Sequence, residues 1–254
     1  MNADAPAPHM IGKGNDLSTT LRIKFERTGP VRYIGHLDMM RYFQKAVMRA
    51  GIDIRYSEGF NPHQIMSFAY PLGVSMETRG DYFDIDVMSY RDCETITARL
   101  NAVMADGIRV ISTTVLPEGA KNAMASVAAA DYLVRCHTLT DDMLRQFLLR
   151  KEILITKKTG KKTFVEDIRP GIFALELRED PTLFTKHWLF MKLKSGSDKN
   201  VKPAAVLEAL SDMFSIRIET DRIIRLEIYR KDEDGVLIPL GDTGSDMPNE
   251  GSRK

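Results

Sequence analysis

The sequence predicts an α+β fold made of two tandem ferredoxin-like (split β-α-β) units with antiparallel sheets and an extra β-hairpin in the second unit. Three observations carry that expectation. Apolar periodicities over residues 20–116 run in an order close to β-α-β-β-α-β, residues 131–230 repeat it loosely, and a stretch ending in small residues, 117–130, separates the two. A chain of 254 residues has room for two domains that each bury a core.

In the first unit, Leu21, Ile23 and Phe25 alternate with Arg22, Lys24 and Glu26, the period of a half-buried strand, which stops at Thr28-Gly29-Pro30. Between Leu37 and Ala50 the apolar residues Met40, Phe43, Val47 and Ala50 recur at helical spacing, and Gly51 supplies a stop. Ile52, Ile54 and Tyr56 alternate as a second strand, and Ile65 to Tyr70 form another extended stretch. A further strand puts Phe83, Ile85 and Val87 on one side. Ile96, Leu100, Val103 and Met104 mark a second helix, and Ile108 and Val110 the closing strand.

The second unit reads as strand Tyr132 to Cys136, helix Asp141 to Leu149, a hairpin from Glu152 to Ile168 turning at Thr159-Gly160, strands Ile172 to Leu177 and Trp188 to Leu193, helix Pro203 to Phe214, and strand Ile223 to Tyr229. Pro203 suits a first helical turn, where its missing N–H would have no partner anyway. Residues 1–19 and 231–254 are polar and are expected to be disordered tails.

Composition excludes several classes. Apolar residues are 43% and charged residues 28% of the chain, the balance of a globular protein, and no apolar run approaches the roughly 18 residues of a membrane span. The first 20 residues lack a basic region followed by an apolar core, so no secretion signal is expected, and the expected location is cytoplasmic. Cys93 and Cys136 are the only cysteines and form no ligand spacing for zinc or an iron-sulfur cluster, so no cofactor is expected. Cys136 and His137, adjacent on a strand, would face opposite sides, and His36, His63 and His187 are scattered. The formal charge of +1 gives no global attraction to nucleic acid, so charge has to be read locally.

Local charge and loop chemistry point to binding. Arg41, Lys45 and Arg49 are four residues apart and form a stripe on the first helix, either a solvated face or a surface for phosphates, with Arg55 and Tyr56 close in sequence. Tyr33-Ile34-Gly35-His36-Leu37-Asp38 enters that helix. There Asp38 favours the helix N-terminus, and His36 could act as a base or a phosphate contact. The loop Ser57-Glu58-Gly59-Phe60-Asn61-Pro62-His63 is either a turn whose Phe60 plugs the core or a recognition loop in which Phe60 stacks while Asn61 and His63 hydrogen-bond. Lys157, Lys158, Lys161 and Lys162 surround the hairpin tip, as protection of an exposed edge or as a probe for phosphates. In Asp167-Ile168-Arg169-Pro170 opposite charges stand two residues apart, which reads first as a structural pair; Arg169 is kept among the binding candidates.

Four segments together, Gly35-His36-Leu37-Asp38, Tyr56-Ser57-Glu58-Gly59-Phe60-Asn61-Pro62-His63, the turn Pro71-Leu72-Gly73-Val74-Ser75 and Asp167-Ile168-Arg169-Pro170, resemble the radical SAM-linked protein family. The resemblance runs through roughly residues 20 to 230 and is densest over 33 to 86. It implies a partner, a radical SAM protein with a cobalamin-binding-type domain, and a setting in ribosome or RNA biology; it implies no established activity. The family usually has a serine where this chain has Gly35, and often an arginine where it has Lys45. Those departures keep the charge pattern and remove the hydroxyl that a helix cap would use.

The expected function is therefore a non-catalytic accessory protein that binds RNA or a ribosomal component, docks to a radical SAM enzyme, or both. Its binding residues would be His36, Arg41, Lys45, Arg49, Arg55, Tyr56, Ser57, Gly59, Phe60, Asn61, His63, the four hairpin lysines and Arg169. The alternative is a metal-independent endoribonuclease of the CRISPR repeat-processing type using His36, an analogy of fold alone.

Overall fold

A computed structural model of the chain describes residues 18–160, 162–180, 185–196 and 200–243, with the side chains at 158, 159, 162, 180 and 185–187 left aside. It is a mixed α+β structure with a mostly antiparallel sheet. The elements are β1 (Thr19–Arg27), α1 (His36–Arg49), β2 (Asp53–Ile54), β3 (Met66–Phe68), β4 (Met76–Ser89), α2 (Cys93–Asn101), β5 (Ile108–Val115), α3 (Ala123–Ser126), β6 (Ala129–Arg135), α4 (Asp141–Leu148), β7 (Leu154–Thr159), β8 (Lys162–Asp167), β9 (Ile172–Asp180), β10 (Thr185–Lys194), α5 (Pro203–Phe214), β11 (Ile223–Lys231) and β12 (Leu237–Pro239). None of the described helices is long and apolar enough to cross a membrane.

Ten strands form one sheet in the order β5-β1-β4-β11-β6-β10-β9, with β2 and β3 also on β4 and β12 on β11; β7 and β8 form a separate hairpin. The alternation in β1 sets the first core. Leu21, Ile23 and Phe25 are buried, and the register Leu21↔Ile85 and Ile23↔Phe83 carries the same face onto β4. Met39, Phe43 and Val47 of α1 and Ile96 and Leu100 of α2 close over this face. At its centre the rings of Phe25, Phe43, Phe68 and Phe83 meet, with Phe43 to Phe83 centroids 4.6 Å apart. The second core places Leu144 and Phe147 of α4 and Val206 and Leu210 of α5 against Val134, Leu189, Met191 and Leu193. Pro203 opens α5 as the sequence suggests, and Ser215 ends it in the left-handed conformation.

The two halves share a parallel seam. Met76, Glu77 and Thr78 of β4 pair with Ile223, Ile224 and Arg225 of β11, and at Gly80 a Cβ would lie 2.4 Å from the Leu226 carbonyl oxygen, so only glycine permits this approach. Charged groups cross the seam. Arg225 donates to both carboxylate oxygens of Asp81 at 2.6 and 2.7 Å. Glu77 accepts from Arg32 of the first half and Arg222 of the second, and Lys24 meets Glu227, which also accepts from the Tyr82 hydroxyl. Burial pushes the Glu77 carboxyl up, and the hydrogen bonds from Arg222 and Arg32 outweigh this and hold it below its ordinary value.

Two expectations about flexible segments need correction. Residues 117–130 are not only a linker: α3 forms there, Asn122 caps it, Ala123 is buried, and β6 already begins at Ala129. Residues from 231 onward do not turn disordered at once, because β12 pairs with β11 and Leu240 is fully buried. One buried pair explains both. Arg22 forms a bidentate pair with Asp84 on the sheet face opposite α1, and it also donates to the carbonyls of Leu240 and Lys121. The Ala123 N–H donates to Asp84. Both segments thus supply hydrogen bonds that a buried ion pair requires. The second predicted strand is also shorter than its alternation suggests: β2 has two residues, and Tyr56 makes only an isolated bridge to Gln64.

Removing one member of a buried pair leaves the other charge without compensation. Asp81→Ala is therefore expected to lower unfolding stability by about 3–5 kcal/mol in urea titrations. Asp81→Leu combined with Arg225→Met should recover most of that loss. A loss below about 1 kcal/mol in Asp81→Ala would show that the seam does not depend on the pair.

Candidate functional site

The helix entry and the turn before β4 are distant in sequence and are brought together around Arg27. Its guanidinium is buried and donates to the carbonyls of Ile34, Gly73 and Met76. The Ser75 N–H adds a bond to the Arg32 carbonyl, and Ser75 has φ +71°, a left-handed conformation uncommon for a residue with a side chain. Gly35 precedes α1 without a side-chain cap, and the Met39 N–H bonds back to its carbonyl. Asp38 sits in the first turn as expected and also pairs with Arg41 at 3.1 Å.

His36 is half-buried beneath this assembly. Its ring meets Phe68 edge-on at 5.6 Å, and it lines a tight pocket with Arg27, Met39, Tyr70, Leu72 and Asp81. Burial lowers its pKa; Asp81 acts in the opposite sense, while Arg225 and Arg27 lower it further. The result is an imidazole that prefers to be neutral. Arg27 Nε is buried there without a hydrogen-bond partner.

The loop from Ser57 to His63 is closed at its base and open at its tip. The Ser57 N–H donates to the His63 carbonyl at 2.8 Å, the His63 N–H donates to Ser57 Oγ at 3.1 Å, and Ser57 Oγ lies 2.8 Å from His63 Nδ1. Gly59 has φ +107°, which a side chain would strain. Phe60 does not plug the core. It is fully exposed at the tip, with Asn61 and Pro62 also in solvent. The loop is tied to α1 by Gln64, whose side-chain amide donates to the Gln44 carbonyl and the Tyr56 hydroxyl. Leu37, Arg41, Gln44 and Met48 follow one line along that helix at spacings of three and four, and Leu37 and Met48 are exposed.

The predicted cationic stripe is present in solvent: Arg41, Lys45 and Arg49 are all exposed. Arg41 engages Asp38, and Arg49 donates to the Val103 carbonyl and lies over the Tyr42 ring. Arg55 is drawn inward to the Ser18 hydroxyl and Asp86, whereas Tyr56 is exposed. Other candidates have different roles. Arg169 donates to the carbonyls of Leu148 and Ile172 and so ties the C-terminal end of α4 to the start of β9. Asp167 does not pair with the Arg169 guanidinium; it accepts from the N–H groups of Ile153 and Arg169. Lys157 meets Glu166 and donates to the Asn200 carbonyl. Lys161 lies outside the described residues, as do the side chains of Lys158, Lys162 and His187.

Among the described residues no cluster of three or more His, Cys, Asp or Glu could hold a metal ion. Burial raises the Cys93 thiol and pushes the Cys136 thiol up to about 11, so neither is an activated nucleophile. The cluster of Arg27, Asp81 and Arg225 behind His36 was not among the predicted site residues. One signal for it is the Pro71-Leu72-Gly73-Val74-Ser75 turn, whose backbone these arginines hold.

The depressed pKa of His36 has a defined consequence for stability. Its folded value lies below the ordinary 6.5, so its contribution is fully present above pH 6.5 and is lost as the pH falls through the folded value. NMR titration of the imidazole should place His36 below 6.5, and His36→Gln should reduce the loss of stability on the acid side. Titration of His36 at or above 6.5 would contradict the burial argument.

Comparison with known proteins places the chain in a family without giving it an activity. No curated protein matches it. A chain in the crystal structure of a Cbf5-Nop10-Gar1 complex is similar at 9% identity and TM-score 0.48, over 87% of this chain and 60% of that one, so this chain spans about 60% of the length of that relative. A crystal structure of an unknown protein from Galdieria sulphuraria is similar at 12% identity and TM-score 0.25, over 80% of this chain and 97% of that one. The family model described as an uncharacterized protein conserved in bacteria matches residues 20–203, and the chain belongs to that family, DUF2344.

Proposed function

We propose that this protein is a non-catalytic accessory protein whose binding surface is the loop Ser57–His63 together with the outer face of α1, and that it recognises single-stranded RNA or an RNA-containing ribosomal component. The observation that carries the proposal is Phe60, held fully exposed on a loop that Ser57 and His63 close, beside a helix with three exposed cations. Exposing a phenylalanine to water is unfavourable, and a closed loop base limits the ordering needed on contact. An aromatic face offers stacking to any base, and Arg41, Lys45 and Arg49 offer contacts to the phosphates. We read the scaffold as two ferredoxin-like units, supported by the strand orders β5-β1-β4 with β2 and β3 beyond, and β11-β6-β10-β9.

A second reading is favoured by Leu37 and Met48, exposed apolar residues on the α1 line next to the loop. Such residues suit a protein partner, and the family resemblance names its kind: a radical SAM protein with a cobalamin-binding-type domain. The endoribonuclease alternative rests on His36, which is half-buried against Phe68 and depressed in pKa, and so receives less support than binding does.

Fluorescence anisotropy with a labelled single-stranded RNA tests the first reading. Phe60→Ala should weaken binding about tenfold, the scale of one stacked base. Arg41→Ala and Lys45→Ala should each reduce the slope of log K against log salt by about 0.7. Absence of RNA binding at low salt, with co-purification of a radical SAM protein that Phe60→Ala abolishes, would replace RNA with the protein partner.

A further inference from the structure

Where β4 and β11 run parallel, the surface between the two halves opens into a cleft of about 460 Å³. The turn through Leu72 and Gly73 is one wall and Lys202 and Pro203 at the start of α5 are the other, with the paired strand neighbours Met76 and Ile223 between them. Tyr132 and Arg225, both almost fully buried, form the floor. Its size and mostly apolar lining, with a few polar groups, are those of small-molecule sites between domains.

The first wall is held rigidly. Arg225 donates to the carbonyls of Tyr70 and Pro71, and Arg27 to those of Gly73 and Met76, so two buried guanidinium groups fix one solvent-facing turn. Ser75 keeps its positive φ within it. Strain retained in a fixed turn is a common feature of ligand-clamping segments, and a wall fixed in advance lowers the ordering penalty of binding.

Charge selects the occupant. Among the described residues no Asp or Glu lines the cleft. Arg225 is neutralised by Asp81, which among the described residues leaves exposed Lys202 as the cation at the mouth. In the first turn of α5, Pro203 has no N–H, and the N–H groups of Ala205 and Val206 bond back to the Lys202 carbonyl. The Ala204 N–H remains at the positive end of the helix, next to Lys202.

We propose that this cleft binds a small organic anion. Its apolar or aromatic body lies over Tyr132 between Leu72, Met76, Pro203 and Ile223, and its single carboxylate or phosphate meets Lys202 Nζ and the Ala204 N–H. The site is separate from the loop 57–63 surface and does not depend on the RNA reading.

Calorimetric titration of the full chain with indole-3-carboxylate and with phenyl phosphate tests this, with neutral indole as the control. At least one anion should bind with one-to-one stoichiometry, and indole at least about tenfold more weakly, the scale of a lost charge-assisted hydrogen bond. Lys202→Glu should weaken the anion by a similar factor, and Ala204→Trp, at an exposed position, should abolish binding by filling the mouth. Both variants should keep the wild-type melting temperature without ligand and the wild-type affinity for RNA. Failure of both anions to bind at millimolar concentration, equal binding of indole, or binding unchanged in both variants would overturn the proposal.

Discussion

Arg225 and Asp81 bring opposite charges together on the two adjoining strands of a parallel seam, where both are almost wholly shielded from water. Burial alone would lower the Arg225 pKa, and Asp81 together with Tyr132 more than offsets it, so the guanidinium stays charged. Such a pair is tolerable only when its remaining hydrogen-bonding capacity is met. Thr78 donates to Asp81, and the carbonyls of Tyr70 and Pro71 accept from Arg225. The pair therefore does more than join the halves. It fixes the turn that begins at Tyr70, and through that turn it reaches the surface.

From there the order passes to Arg27, which holds the far side of the same turn and the Ile34 carbonyl just before α1. The helix entry, the turn and His36 thus share one support. The loop carrying Phe60 is attached separately, through Gln64 to α1 and through its own Ser57–His63 closure. This arrangement leaves exposed side chains on a braced base, the usual disposition of residues that bind rather than pack.

Much of the fold was legible because its elements are short-period patterns. Leu21, Ile23 and Phe25 announce β1, and α5 begins and ends where Pro203 and Phe214 place it. The seam was not legible. Arg225 stands in a strand where alternation assigns it to the polar side, and it is buried only because β4 arrives at Gly80, about 145 positions earlier in the chain. No local period encodes a contact of that range. Arg22 hides the same way, since its burial depends on Lys121 and Leu240 folding over it. The stripe on α1 could be read from spacing alone. Whether Phe60 pointed in or out could not, because glycine, asparagine and proline specify a turn without specifying which way its tip faces.

Phe60 and its neighbours on α1 are the surface proposed to meet RNA. Ultraviolet crosslinking of the full chain to single-stranded RNA, followed by mass-spectrometric mapping of the attached nucleotides, reads that contact directly. Crosslinks concentrated in the segment from Tyr56 to Gln64, with Phe60 the principal site, are the predicted result. Crosslinks confined to the β7-β8 hairpin, or spread without preference over the sheet, would contradict it.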